Sequence, residues 1–344
     1  MMPDEPGKLP VSVVTGFLGS GKTTLISRVL RDPAFARTAV IVNEFGEIGL
    51  DHDLIATSDD SVVTLNTGCL CCVVQTDLNR TLIELLERRE AGTADYDRVL
   101  IETSGLADPA PVLQGMMTDG DIAATHHIPR VVTIIDTIFG GVNLRDHNEA
   151  RHQIALADRI LISKTDLQPA SDQLLAELDA LNPGALRMST TQAEADNLFA
   201  DPSIDALTER LARLVRQPAR HAGIDTFSVI RDKPLPALAL TLLLQAVAEH
   251  CGTRLLRLKG LVAIAEMPGR PAVIHGVRHV VSAPEFLDRW PTGDERTRIV
   301  FITKGVPRYF VARLLDAIVH EVHEETATRG SSSSAVVMPS KQAD

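Results

Sequence analysis

Residues 16–23 read Gly-Phe-Leu-Gly-Ser-Gly-Lys-Thr, which fits the spacing G-x-x-x-x-G-K-[ST] at every position. A β-branched run, Val11–Thr15, precedes them, and a segment of helical character, Lys22–Arg31, follows. Gly16, Gly19, Ser20 and Gly21 form a loop that turns tightly enough to aim backbone N–H groups at phosphate oxygens, and the helix N-terminus adds its dipole. Lys22 is expected to reach the β- and γ-phosphates and Thr23 to give its hydroxyl to Mg²⁺, with Thr24 beside them. A Rossmann dinucleotide site would need G-x-G-x-x-G, which is absent here, and has no use for Lys22 and Thr23.

Two further strand ends carry chemistry that suits this loop. The run Arg98–Glu102 ends in Glu102-Thr103-Ser104-Gly105. An acidic side chain there can order Mg²⁺, and the Gly105 N–H can meet the γ-phosphate. The run Arg159–Ser163 leads into Ser163-Lys164-Thr165-Asp166, where guanine readers carry N-K-x-D. The Asp166 carboxylate would accept from the guanine N1–H and exocyclic amine, which adenine cannot supply, and the Lys164 stem would cover the base. Ser163 stands where the pattern has Asn, a residue whose main task is to brace neighbouring loops. The loop alone would also serve an ATP-dependent small-molecule kinase.

The third group is Thr67-Gly68-Cys69-Leu70-Cys71-Cys72, between a strand and a helix. Three thiols within four residues suit metal binding or redox chemistry better than a structural disulfide. A nearby helix N-terminus favours thiolates, which select soft ions, Zn²⁺ by default or another divalent transition metal such as cobalt. Cys69, Cys71 and Cys72 supply at most three sulfur ligands, so the site would be open and exchangeable. Three packed, inert cysteines are the other reading; Cys251 stands alone and reads as core.

These motifs need a scaffold that brings strand ends to one edge. Apolar runs at Ala39–Asn43, Ser61–Leu65, Arg98–Glu102, Arg130–Asp136 and Arg159–Ser163 alternate with helical segments at Val73–Arg89 and Ser171–Leu181. That alternation predicts an α/β fold, a parallel P-loop sheet with helices on both faces. The pattern breaks at Arg216–Asp225, read as a linker. A smaller α+β part follows, with a buried helix at Ala237–Ala248 and strands at Arg254–Glu266, Ala272–Ser282 and Arg298–Thr303. A last helix is expected over Arg308–Val322, then a disordered tail rich in serine from Gly330. The 344 residues carry a net charge of −11, which argues against a nucleic-acid or membrane-surface binder. No secretory signal is apparent and no apolar run is long enough to span a bilayer, so the expected compartment is the cytoplasm.

The motifs together resemble the CobW-type members of the metallochaperone-associated P-loop GTPases, a group whose second phosphate motif carries Glu in place of Asp. The resemblance rests on GFLGSGKTT at 16–24, NEFGEIGLD at 43–51, GCLCC at 68–72, ETSGLADP at 102–109 and SKTD at 163–166. It implies a GTPase domain over 10–217 and a CobW-like C-terminal domain over 226–323, which leaves the disordered tail over 326–344. It also implies that GTP and Mg²⁺ drive the binding and transfer of a metal to a client metalloprotein or metallocofactor enzyme. Lys22, Thr23 and Glu102 would be the catalytic residues. The segment 43–51 would be a switch loop, with Glu44, Glu47 and Asp51 as metal or Mg²⁺ contacts. A nucleotide-dependent homodimer is compatible with this reading. Many relatives carry a histidine-rich stretch; here only pairs occur, such as His126-His127, His147/His152 and His320/His323. The alternative is a metal-storage or metal-sensing protein with nucleotide as a structural ligand.

Overall fold

A computed structural model describes residues 8–43, 62–64, 71–127, 130–193, 198–199, 219–221 and 223–333. Glu44, Glu47, Asp51 and Cys69 lie outside these residues, and Cys71 and Cys72 are described only as the start of a helix.

Seven strands form the first sheet: β1 (Val11–Gly16), β2 (Thr38–Asn43), β3 (Val62–Thr64), β4 (Arg98–Thr103), β5 (Arg130–Asp136), β6 (Arg159–Ser163) and β7 (Leu186–Ser189). Their order is β3-β2-β4-β1-β5-β6-β7, and every pairing is parallel. The connecting helices are α1 (Lys22–Val29), α2 (Cys71–Glu90), α3 (Ala110–Thr118), α4 (Gly120–Thr125), α5 (Gly140–Asp146), α6 (Asn148–Leu156) and α7 (Asp172–Leu181). Successive strand residues point to opposite faces. Val14, Leu100 and Val132 therefore pack with Leu25, Ile26 and Val29 of α1 on one side. Val13, Ile41 and Ile101 pack with Leu78, Leu82 and Leu85 of α2 on the other. Both faces are covered, which is why the strands read as continuous apolar runs.

The second sheet comprises β8 (Ala219–His221), β9 (Ile224–Arg231), β10 (Leu255–Val262), β11 (Ala272–Val277), β12 (Val280–Val281), β13 (Glu285–Phe286) and β14 (Thr297–Lys304). The order is β12-β11-β10-β14-β9-β8, all antiparallel, with β13 on β11. Helices α8 (Ala237–Cys251) and α9 (Arg308–Ser333) cover one face. Leu240, Leu243 and Val247 of α8 and Val311 and Leu315 of α9 meet Phe227, Leu258 and Phe301 there. Cys251 is buried in the same cluster, as a core cysteine. No helix among the described residues is long and apolar enough to cross a membrane.

Several boundaries differ from the sequence reading. Part of the expected linker, Ala219–His221, is a strand, held by pairing with β9. The expected strand Ala272–Ser282 is a hairpin that turns at Arg278-His279, and β10 ends at Val262 instead of Glu266. Helix α9 runs past Val322 and through Gly330 to Ser333, because residues 323–329 are rich in helix formers and no proline interrupts them.

The two sheets are joined by buried contacts. Ile224, Leu256 and Ile302 of the second pack among Ile154, Leu178 and Leu181 of α6 and α7. Asp158, just before β6, is 4% exposed. Its carboxylate accepts from Arg257 Nη2 at 2.8 and 2.9 Å, from Lys259 Nζ at 2.5 Å and from the Val131 N–H at 3.0 Å.

Candidate functional site

Because β1 through β7 run parallel, the loops after each strand emerge at one edge, where such folds bind ligands. The phosphate loop leaves β1 near the centre of the sheet, between β4 and β5. Its glycines take backbone angles that other residues resist: φ is +70° at Gly19 and +100° at Gly21, the residue that opens α1. Lys22 is buried, and its Nζ donates to the carbonyls of Gly16 at 3.1 Å and Phe17 at 3.4 Å, so the ammonium lies across the loop. Ser20 is buried; Thr24 faces solvent on α1.

Thr23 and Glu102, each expected at Mg²⁺, are in contact at the start of α1 and the end of β4. Thr23 Oγ1 donates to Glu102 Oε1 at 3.0 Å, and Glu102 is 2% exposed. A hydroxyl and a carboxylate are hard oxygen donors, the set that Mg²⁺ takes together with substrate phosphates. One layer below, the hydroxyls of Thr103 and Thr15 meet at 2.7 Å and tie β4 to β1.

Gly105 packs against the phosphate loop itself. A Cβ at this position would lie 2.8 Å from the Leu18 nitrogen and 2.9 Å from its Cα, so only glycine permits this approach. The turn is held from behind by Gln153 of α6, whose Nε2 donates to the carbonyls of Gly105 at 3.2 Å and Ala107 at 3.0 Å. Asp108 closes the turn. It accepts from the Ala110 N–H at 2.9 Å, from His152 Nδ1 at 2.9 Å and from Arg278. Burial alone would raise the Asp108 carboxyl, but the His152 and Ala110 hydrogen bonds and the Arg278 charge hold it below the usual carboxylate range.

The base-reading loop follows β6. Ser163 Oγ donates to the Ser20 carbonyl at 2.7 Å, so the serine supplies the brace that an asparagine would give between this loop and the phosphate loop. Lys164 sits at φ +57°, with its Nζ 3.6 Å from Asp136 Oδ1 and 6.0 Å from the centre of the Phe139 ring. Asp166 is exposed at the mouth of the loop. Thr165 Oγ1 meets Ser189 Oγ at 2.9 Å, which joins the loop to the end of β7.

Asp136, Phe139, Gln153 and Ser189 escaped the sequence reading. Asp136 carried the same signal as Glu102, an acid at the end of a strand next to β1, and its carboxylate is fixed by the N–H groups of Ile138 at 3.0 Å and Phe139 at 2.8 Å. Phe17 of the phosphate loop stacks on His147, ring centres 4.6 Å apart, which gives one of the paired histidines a packing role.

Helix α2 begins at Cys71, so the second and third cysteines of the motif fall in its first turn. The strand before them, β3, is the edge strand, three positions from β1. At about 4.8 Å per strand, β3 and β1 lie roughly 14 Å apart in the sheet, with β2 and β4 between them. Among the described residues no group of three or more His, Cys, Asp and Glu side chains is arranged to hold a metal ion.

Residues 10–188 match the CobW/HypB/UreG nucleotide-binding domain, and residues 224–319 match the C-terminal domain of cobalamin synthesis protein cobW. The chain is 30% identical over 305 residues to the zinc chaperone YjiA of Escherichia coli, covering 87% of this chain and 94% of that one. It is 32% identical over 361 residues to the zinc chaperone CobW of Pseudomonas aeruginosa, covering 90% and 91%. The crystal structure of Zn(II)-bound YjiA GTPase from E. coli shares the fold, with a TM-score of 0.68 at 22% identity over 90% of this chain and 99% of that one. With more than half of its length matched by the nucleotide-binding domain and a relative aligned across most of both chains, the chain belongs to the CobW/HypB/UreG family.

Proposed function

We propose that this protein is a GTPase that couples nucleotide binding and hydrolysis to the binding and delivery of a divalent metal, zinc first, to a client metalloprotein. The observation that carries this reading is the contact between Thr23 and Glu102 at 3.0 Å, next to Lys22 in a phosphate loop against which Gly105 packs. This set has one hard-oxygen site, one cation and one backbone donor for the γ-phosphate, the parts that phosphoryl transfer requires. When bound, Mg²⁺ would be held by Thr23 and Glu102 and would supply positive charge against the phosphates. Lys22 holds the β- and γ-phosphates, Thr23 and Glu102 orient the metal's ligands, and the Gly105 N–H meets the γ-phosphate. Relatives named as zinc chaperones support zinc as the cargo. Thiolates of Cys69, Cys71 and Cys72 are the ligands chemically suited to it.

Guanine choice rests on Asp166, with Lys164 as the cover of the base. GTP is expected to bind at least about tenfold more tightly than ATP, and Asp166→Asn to shift preference toward xanthine nucleotides, whose C2 oxygen needs a donor. Competition binding with the three nucleotides measures this; equal affinity of the wild type for ATP and GTP would remove Asp166 from the role.

Metal coupling has its own test. Zinc titrated into the apo, GDP-bound and GTP-analogue-bound protein should show affinities that differ by about 5–150-fold between nucleotide states, with the reciprocal effect of zinc on GTP binding. Replacing Cys69, Cys71 and Cys72 together with Ser should abolish that difference. Identical zinc affinity in all three states would instead favour a storage or sensing protein with nucleotide as a structural ligand.

A further inference from the structure

We propose that Arg278, on the second sheet, is a positioning residue for GTP hydrolysis, acting through Asp108 to hold the Gly105 turn against the phosphate loop. The inference rests on the reading of that turn as the one that meets the γ-phosphate.

The first observation is a backbone in the wrong conformation for its residue. Val277 of β11 pairs with Val280 of β12, so Arg278 and His279 alone make the turn. Arg278 has φ +53°, in the left-handed region that a side chain with a Cβ resists. Two-residue hairpin turns take Gly, Asn or Asp there. A strained arginine in such a turn calls for a task that glycine could not perform.

The second observation is where its guanidinium goes. The side chain is only 22% exposed, and Nη2 donates to Asp108 Oδ2. The same carboxylate oxygen accepts from His152 Nδ1, and Oδ1 accepts from the Ala110 N–H. Beside Arg278, His279 Nδ1 lies 3.4 Å from Gln114 Nε2 of α3. The hairpin tip therefore touches the segment that follows β4 at two points.

The third observation is that the Gly105 turn has no slack. Gln153 holds two of its carbonyls, and Gly105 lies against the Leu18 backbone with no space for a methyl group. A shift at Asp108 is therefore transmitted three residues along to the N–H that must meet the phosphate. Gln153, His152 and Ala110 all belong to the nucleotide-binding part of the chain, whereas Arg278 reaches in from the C-terminal part. Through it, the geometry of the second sheet sets the geometry of the phosphate site.

The test uses the full chain and four variants: Arg278→Gly, Arg278→Lys, Asp108→Asn and the pair Arg278→Gly with Asp108→Asn. Glycine suits φ +53°, so Arg278→Gly removes the contact without straining the turn, and the variant should stay folded with Asp108 still held by His152 and the Ala110 N–H. Its kcat for GTP should fall about 10–100-fold while KM changes less than about threefold, the signature of a lost transition-state geometry and not of lost binding. Arg278→Lys should recover part of the rate. Adding Arg278→Gly to Asp108→Asn should bring no further loss. Unchanged kcat in Arg278→Gly, a loss that adds fully to that of Asp108→Asn, or a loss that merely follows a lowered Tm would each overturn the proposal. Gly105→Ala, assayed alongside, separates the two layers. If Gly105→Ala is inactive and Arg278→Gly is normal, the role of Arg278 alone falls. If Gly105→Ala hydrolyses GTP normally, the reading of the turn falls and this inference goes with it.

Discussion

Lys22→Ala is expected to lower kcat for GTP by about 10²–10³-fold or more, the loss that follows removal of one preorganised group stabilising transition-state charge. The reason is local. Catalysis of phosphoryl transfer is almost entirely positioning and electrostatics, and Lys22 is the cation that the phosphate loop itself carries. Triphosphate affinity should drop as well. The fold should survive, because the Lys22 ammonium donates to the loop carbonyls of Gly16 and Phe17 and its side chain is not part of the apolar clusters on either face of the first sheet. Phosphate-release kinetics and a thermal melt of the same preparation measure both halves. Turnover at the wild-type rate would move the catalytic site elsewhere.

The second large effect is on stability. Asp158→Ala should destabilise the protein by about 3–5 kcal/mol, because it strands buried positive charge. Arg257, with its side chain 9% exposed, and Lys259, at 21%, both turn inward onto this one carboxylate. The Val131 N–H loses its side-chain acceptor in the same change. Denaturant melts should show the loss. Adding Arg257→Met to Asp158→Ala should recover part of it, since an apolar side chain leaves no charge to be solvated. A change below about 1 kcal/mol for Asp158→Ala would mean that water reaches the cluster freely, as it does at exposed ion pairs.

The parts of this molecule that a linear reading reveals are those whose cause is local. The phosphate loop is legible because eight consecutive residues carry both the turn and the chemistry. Strands β1, β2, β4, β5 and β6 are legible because burial on both faces forces an unbroken apolar run. Strand β7, Leu186–Ser189, was not: it is short, half-exposed and mixed in character, and it exists because Leu186 to Ser189 pair with Arg159 to Ile162. The β11–β12 hairpin was missed because its turn carries Arg-His instead of a Gly- or Asn-type signal. The supports of the site were hidden for a related reason. Asp108 and Arg278 are 170 residues apart, Gln153 and Gly105 are 48 apart, and no local pattern announces either pair. Ser163 in place of Asn has its reason 143 residues away, where its hydroxyl donates to the Ser20 carbonyl.

The strand order also has a consequence for how the chain is made. Among the described strands of this sheet β1 is made before the others and ends in the phosphate loop, yet its two neighbours in the sheet are β4 and β5. Val13 pairs with Ile101 on one side and Val131 on the other. At about 5–20 residues per second, the roughly 90 residues to the first partner take on the order of 4–18 s to synthesise. For that interval an apolar strand with both backbone edges open has nothing of its own sheet to bind. Newly made chains should therefore depend on holdase protection early in translation, and slowing synthesis between β1 and β4 should raise the aggregated fraction more than the same delay placed after β6.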